Sequence, residues 1–87
     1  SKKAIIALVN ALTKPYIGAE VIYKGQIIKI FKAGEYDTYI VDYENCEPGK
    51  VVDIVENKPL VKCYDGLIIL EEYENISIKI EIGEYFD

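Results

Sequence analysis

The first part of the chain repeats apolar residues at helical spacing. Positions i, i+3, i+4 and i+7 are filled by Ile5, Leu8, Val9 and Leu12. This stripe predicts an amphipathic helix over residues 3–13. Pro15 disfavours helical dihedrals at Lys14 and offers no amide, so we expect the helix to stop there. The predicted organisation is a helix in residues 1–14 followed by a β-barrel in residues 15–87.

After the helix, the pattern is that of short strands separated by turn residues. Seven candidate strands lie at Ala19–Tyr23, Gln26–Ala33, Tyr36–Glu44, Lys50–Glu56, Leu60–Tyr64, Leu67–Glu72 and Ile76–Ile82. In the last, four isoleucines alternate with polar residues, which predicts one buried face. Asp65-Gly66 is a strong hairpin signal, because a two-residue primed turn needs positive φ. Turns at this rhythm indicate a small, mainly β barrel or sandwich. We favour an open barrel of about six strands, with the first candidate as a short hairpin arm, because closure removes exposed edges.

Composition narrows the function classes. The chain has 87 residues, enough for one domain, and contains no His, Trp, Met or Arg. Without imidazole it lacks the commonest general base and the commonest neutral metal ligand, so self-contained hydrolytic or zinc chemistry is not expected. Since the chain begins with Ser1, we expect it to be cut from a longer protein.

Charge is distributed unevenly around a net value of −5. Residues 1–34 carry six lysines against one glutamate, whereas residues 35–87 carry four lysines against fourteen acids. Any phosphate-bearing partner is therefore expected at the first third of the chain.

The two cysteines, Cys46 and Cys63, do not form a CxxC pair, and no histidine is present to complete a zinc site. We expect two free thiols in a reduced, cytoplasmic compartment. No apolar run approaches the length of a membrane span, so no membrane partner is expected.

Five motifs in order give the chain a family resemblance. They are Ala11–Ala19, Lys24–Ala33, Pro48–Val52, Asp65–Glu71 and Ile82–Phe86. Their order resembles the C-terminal domain of the 10-formyltetrahydrofolate-dependent formyltransferases. The resemblance implies a barrel like the oligonucleotide/oligosaccharide-binding fold, attached behind an upstream Rossmann-like catalytic domain.

The resemblance also implies a function. The family transfers a formyl group from 10-formyltetrahydrofolate to an amine, and the expected acceptor is the methionyl group of initiator methionyl-tRNA. The family's catalytic Asn, His and Asp belong to the upstream domain, so this chain is expected to hold no cofactor and to be inactive alone. Its expected role is acceptor positioning.

Two alternatives stay open. One is the C-terminal module of an amino-sugar-nucleotide N-formyltransferase, favoured by the acidic composition and by the short segment between Leu70 and Ile82. The other is an independent β-barrel binding module whose likeness to the family is structural only.

The predicted contact residues for a nucleic acid or other acceptor are four lysines: Lys14, Lys24, Lys29 and Lys32. Each would meet a phosphate as a point charge, and binding would weaken as salt rises. The alternative role of these lysines is to keep a small domain soluble.

Two further clusters of side chains are better explained without a binding or catalytic role. Tyr36, Tyr39 and Tyr43, with Tyr23 and Phe31 upstream, suggest a stacking platform. Neighbouring acids would repel a phosphate chain, however, and simple β-propensity explains these aromatics better. Glu71 and Glu72 are adjacent on a strand and so point to opposite faces, which predicts no shared metal or proton site.

Overall fold

The structure is a computed structural model and describes residues 19–36, 43, 45–64, 66–74 and 77–87. The predicted helix, Lys14 and most of the predicted strand Tyr36–Glu44 lie outside these residues.

Five antiparallel strands form one sheet. They are β1 (Ala19–Tyr23), β2 (Gln26–Tyr36), β3 (Val51–Val55), β4 (Lys58–Cys63) and β5 (Gly66–Tyr73), in the spatial order β1-β2-β5-β4-β3. The mainly β prediction is confirmed. Within the described residues the sheet has five strands rather than about six, and these residues contain no α-helix.

Two hairpins turn through residues with positive φ. Lys24 (φ 49°) and Gly25 (φ 79°) join β1 to β2, as expected for a two-residue primed turn. Glu56 (φ 50°) and Asn57 (φ 67°) join β3 to β4. The predicted strand Leu60–Tyr64 excludes Lys58 and Pro59, whereas both lie within β4 and pair with β3.

The predicted hairpin around residue 65 is confirmed, with a shifted boundary. β4 and β5 pair with Cys63 opposite Gly66, so Gly66 belongs to β5 and not to the turn. The predicted break between the strands Gln26–Ala33 and Tyr36–Glu44 is wrong, because β2 runs without interruption from Gln26 to Tyr36. A Cβ at position 34 would come 3.2 Å from Glu71 Oε2, so the glycine there permits close cross-strand approach.

The core lies on one face of this curved sheet. It is built from alternate residues of all five strands together with two residues near the C-terminus: Val21, Tyr23, Ile28, Ile30, Ala33, Val51, Val61, Cys63, Ile68, Leu70, Ile80 and Phe86. The rings of Tyr23 and Phe86 are both fully buried, with centroids 5.2 Å apart. The two largest fully buried side chains thus connect β1 to the C-terminal segment.

The C-terminal segment, residues 77–87, connects the two edges of the sheet. Asp87 N donates to the β1 carbonyl of Ile22 at 2.8 Å, while Val51 N in β3 donates to Glu84 O at 2.8 Å. Phe86 forms a bridge with Tyr23, and its amide donates to Gly49 O at 2.9 Å. Since β1 and β3 are not paired with each other, this segment covers both open edges.

The isoleucine-rich strand predicted over Ile76–Ile82 is wrong. Residues 77–82 form bends and turns, Ile80 is buried, and Ile82 is 59% exposed. The reason is a contact with a residue distant in the sequence, because the Tyr23 hydroxyl accepts a hydrogen bond from the Glu81 amide at 2.9 Å. The chain then reverses at Gly83, which has a φ of 93°. An alternating sequence forms a strand only where a neighbouring strand can pair with its backbone N–H and C=O groups. Here tertiary contacts satisfy those groups instead.

Candidate functional site

Three of the four predicted contact lysines lie on the β1–β2 hairpin. Lys24 occupies its turn, and Lys29 and Lys32 lie on β2. All three are exposed. Lys14, the fourth, lies outside the described residues. The three described lysines thus share one hairpin, but their surroundings differ.

Lys24 is committed to the C-terminal segment. Its Nζ lies 3.7 Å from Glu81 Oε1 and 3.7 Å from Glu84 Oε1, and it sits 5.8 Å from the centroid of the Tyr23 ring. A phosphate at Lys24 would have to compete with two carboxylates. This makes Lys24 the least suitable of the three for binding an anion.

A bulge in β2 concentrates exposed side chains in its middle. Ile30 pairs with Tyr73 and Lys32 with Glu72, so Phe31 is an extra residue on β2. Phe31 and Lys32 are consequently both exposed, between the buried Ile30 and Ala33. The bulge is what lets an aromatic ring and an ammonium group stand side by side on the surface.

Exposed apolar side chains extend this surface toward the hairpin turn. Ile22 on β1 and Ile27 on β2 are cross-strand partners and are both exposed. We call the outward set Ile22, Ile27, Lys29, Phe31 and Lys32 the hairpin face. An apolar surface flanked by two ammonium groups suits a partner that combines flat apolar rings with phosphate.

Acidic side chains lie close to the lysines of the hairpin face. Glu20 is the cross-strand partner of Lys29, and Glu72 is the partner of Lys32. Glu74 Oε1 accepts the Lys29 amide at 3.4 Å. Opposite charges facing each other in a sheet add roughly 0.2–1 kcal/mol of stability. They also reduce the positive potential that a phosphate would meet.

A cleft of about 370 Å³ lies between the β3–β4 hairpin and the C-terminal segment. It is lined by Ile54, Asn57, Pro59, Tyr73, Ile78, Lys79 and Ile80. Burial raises the pKa of the Tyr73 phenol further above neutral. The cleft combines an apolar lining with amide, phenol and ammonium donors, so a small polar molecule fits its chemistry better than an extended chain does.

Comparison with known proteins identifies the family of this chain. The family described as "Formyl transferase, C-terminal domain" matches residues 1–86. This chain belongs to that family. The resemblance drawn from the order of the motifs is confirmed.

One curated relative places the formyltransferase C-terminal domain within a larger protein. A methionyl-tRNA formyltransferase of Natranaerobius thermophilus is 29% identical to it over 72 residues. The match covers 83% of this chain but only 23% of that protein. The matched residues thus make up less than a quarter of the relative's length.

The chemistry of the two thiols agrees with the predicted free state. Cys46 and Cys63 are both free, half-buried and buried respectively. Burial raises the pKa of the Cys63 thiol to about 11, only partly opposed by the nearby Lys62 charge. Cys63 is therefore a protonated core thiol at neutral pH and a poor nucleophile.

The structure describes only two of the three tyrosines Tyr36, Tyr39 and Tyr43. Of the three tyrosines, Tyr36 and Tyr43 are half-buried, and Tyr39 lies outside the described residues. In the part of the chain that the structure describes, no group of three or more acidic or thiol side chains is placed to hold a metal ion. Among the same residues, no helix is long and apolar enough to cross a membrane.

Sequence reasoning missed the two isoleucines of the hairpin face, Ile22 and Ile27. In Gln26–Phe31 apolar residues occupy both phases of the strand, so alternation alone cannot say which face of Ile27 and Phe31 is buried. The one usable signal is that lysines flank two adjacent apolar residues, in Lys29-Ile30-Phe31-Lys32.

Proposed function

We propose that this domain is the non-catalytic C-terminal part of a formyltransferase and acts by positioning the acceptor amine. By this proposal, an upstream catalytic domain binds 10-formyltetrahydrofolate and carries out the transfer. The acceptor is the methionyl group of initiator methionyl-tRNA, and the compartment is the cytoplasm. The chain alone transfers no formyl group.

The observation that carries the proposal is the hairpin face. Phe31 is 44% exposed and lies between Lys29 and Lys32 on β2. On the opposite face of the same hairpin, Tyr23, Ile28 and Ile30 are fully buried. Exposed apolar surface of this kind is selected for contact rather than for folding. An aromatic ring can stack on a base while neighbouring ammonium groups meet phosphates.

Lys29 and Lys32 are the proposed phosphate contacts. Lys24 is a weaker member of the set because Glu81 and Glu84 already engage it. Lys14 remains a proposed contact on the strength of its position after the predicted helix.

A second candidate acceptor is a nucleotide-linked amino sugar. It is favoured by the glutamates that face Lys29 and Lys32 and by the net charge of −5, both unfavourable for a long phosphate backbone. A small acceptor would need only one or two of these contacts.

Titration of the 87-residue chain with fluorescent initiator methionyl-tRNA, across a series of salt concentrations, tests the choice. We expect weak binding that weakens steadily with salt. The Lys29→Ala/Lys32→Ala variant should reduce the slope of log affinity against log salt by about two, one for each ammonium group that is removed from a phosphate. Lys58→Ala, on the far hairpin of the sheet, is the matched control and should leave the slope unchanged.

Absence of tRNA binding even at low salt would remove the tRNA proposal. Calorimetric titration with an amino-sugar nucleotide then tests the second candidate. A formyl-transfer assay on the same purified chain tests the first claim separately. Turnover of 10-formyltetrahydrofolate by this chain would overturn its assignment as non-catalytic.

A further inference from the structure

The cleft between the β3–β4 hairpin and the C-terminal segment is lined only by residues that the structure describes. Its volume of about 370 Å³ lies near the lower end of the range for small-molecule sites. Four of the seven lining residues have aliphatic side chains: Ile54, Pro59, Ile78 and Ile80. Pro59 is fully buried, and Ile80 belongs to the core cluster, against which Ile54 and Ile78 also pack. The cleft therefore has an apolar wall that is continuous with the core.

The polar part of the lining consists of side chains that can donate hydrogen bonds. Asn57 contributes an amide, Tyr73 a phenol and Lys79 an ammonium group. Lys79 is the one charged residue among the seven, and none of the seven is acidic. One ammonium group with two neutral donors suits a ligand that carries a negative charge.

Acidic side chains close to the lining residues in the sequence have partners elsewhere. Asp53 Oδ1 accepts a hydrogen bond from a backbone amide of β3 at 2.8 Å, and Glu74 Oε1 accepts one from an amide of β2 at 3.4 Å. Glu81 Oε1 lies 3.7 Å from the ammonium group of Lys24. The domain has fifteen acidic residues against ten lysines, so a cleft lined without any carboxylate departs from its overall charge.

The donors are carried by two parts of the backbone that are themselves held in place. Asn57 has a φ of 67° in the tight turn between β3 and β4, and the residues on either side of it carry opposite charges. On the other side of the cleft, the Tyr23 hydroxyl donates to Lys79 O at 3.5 Å and accepts from the Glu81 amide at 2.9 Å. Because these backbone segments are ordered before binding, a ligand would lose less free energy in ordering them.

We propose that this cleft binds a small organic anion, an apolar body that carries a single carboxylate. The body lies against the aliphatic wall, and the carboxylate meets the ammonium group of Lys79, with Asn57 and Tyr73 as further donors. One ammonium group balances one negative charge, whereas a doubly charged phosphate would leave an excess in a domain of net charge −5. The site goes beyond acceptor positioning and does not depend on it, since none of its lining residues belongs to the hairpin face.

Titration of the ¹⁵N-labelled 87-residue chain with benzoate tests the proposal. Shifts of backbone amides should concentrate on residues 54–57, 73 and 78–80 and leave residues 27–32 unchanged. Benzyl alcohol keeps the ring without the charge, and acetate keeps the charge without the ring. Each should bind at least several-fold more weakly than benzoate, and benzoate binding should weaken as salt rises.

The charge contact is tested by two lysine variants. Lys79→Ala should weaken benzoate binding roughly fivefold, as expected for a partly exposed ion pair, and leave benzyl alcohol binding unchanged. Lys58→Ala removes an ammonium group beside the same turn that does not line the cleft, so it is the matched control and should leave the affinity for benzoate unchanged. Thermal unfolding of both variants checks that the fold is kept, and if either is unfolded the three ligands on the wild type decide.

Three results would overturn the proposal. They are the absence of shifts around the cleft even at high millimolar benzoate, equal affinity for benzoate and benzyl alcohol, and equal loss of benzoate affinity in the two lysine variants. The last would show attraction to the general charge of the surface rather than to Lys79. Because tRNA is absent from these titrations, failure here is distinguishable from failure of the proposed acceptor contact.

Discussion

The two faces of the β1–β2 hairpin differ sharply although they alternate along the same two strands. Facing inward, Tyr23, Ile28 and Ile30 are completely buried. Facing outward, Ile22 is 41%, Ile27 57% and Phe31 44% exposed. Large apolar side chains occur on both faces, and the outward face adds Lys29 and Lys32, so the presence of an apolar residue does not by itself predict burial.

What separates the faces is the C-terminal segment. Phe86 packs on Tyr23, and the Tyr23 hydroxyl holds the Glu81 amide, so the inner face is closed by residues some sixty positions away. The described residues of that segment do not cover the outer face in the same way. Stability therefore depends on the inner face, and the large apolar side chains of the outer face of this hairpin stay exposed.

The largest expected effect compares the two phenylalanines of the chain, one on each face. Phe86→Ala removes a fully buried ring and should lower the free energy of unfolding by about 3–5 kcal/mol. Phe31→Ala removes a ring that is 44% exposed and should cost under about 1 kcal/mol. Urea unfolding followed by circular dichroism measures both.

For so small a domain the first loss is close to the whole stability, so Phe86→Ala is expected to be largely unfolded at 25 °C. Equal losses for the two variants would contradict the division between faces. Phe86→Leu provides a milder substitution if the alanine variant cannot be purified.

A smaller effect should appear at alkaline pH through the core thiol. The pKa of Cys63 is 9.0 ordinarily and about 11 in the folded protein, so the folded state keeps a proton that the unfolded state loses. Stability should be constant below about pH 8 and fall as the pH rises from 9 to 11, by about 1 kcal/mol at pH 10. Urea unfolding at pH 8 and pH 10 measures the change.

The control for this prediction is Cys63→Ala, which has no thiol to titrate. Tyrosines and lysines also titrate near pH 10, so the informative quantity is the difference between wild type and variant. Identical pH dependence in both proteins would show that the buried thiol does not couple to folding.

Tyr23→Phe tests how the C-terminal segment is held. The variant keeps the ring but removes the acceptor for the Glu81 amide and the donor that lies 3.5 Å from Lys79 O. We expect a loss of about 1 kcal/mol and faster hydrogen exchange at the Glu81 amide. Tyr85→Phe, at an exposed tyrosine of the same segment, is the control.

Lys24→Ala should have the smallest effect. Its contacts with Glu81 and Glu84 are both at 3.7 Å between partly exposed side chains, so the loss should stay below about 1 kcal/mol. High salt should abolish the difference from wild type in thermal unfolding. A loss that persists in high salt would point to packing of the lysine stem rather than to charge.

The strands that flank tight turns could be predicted from the residues of those turns. Ala19–Tyr23 is predicted with the bounds that the structure gives, because Lys24-Gly25 supplies the positive φ of a tight turn. The hairpin of β4 and β5 is predicted for the same reason, although its boundary shifts by one residue.

Features that depend on distant partners were not predictable. Ile76–Ile82 alternates as well as any strand of the chain, yet its backbone groups are taken by Tyr23 and by the reversal at Gly83. The bulge at Phe31 depends on register with β5, which no local pattern encodes. Two of the lysines proposed as contacts lie exposed on the hairpin face, but the isoleucines of that face were not foreseen.

Backbone amide spectra of the ¹⁵N-labelled chain, recorded while initiator methionyl-tRNA is added at low salt, test the central claim most directly. The account predicts that broadening or shifts concentrate on residues 27–32, with the β3–β4 turn at Glu56-Asn57 unaffected. Perturbation confined to the cleft around Ile54 and Ile78, or none at any tRNA concentration, would contradict the assignment of the hairpin face as the acceptor-contacting surface.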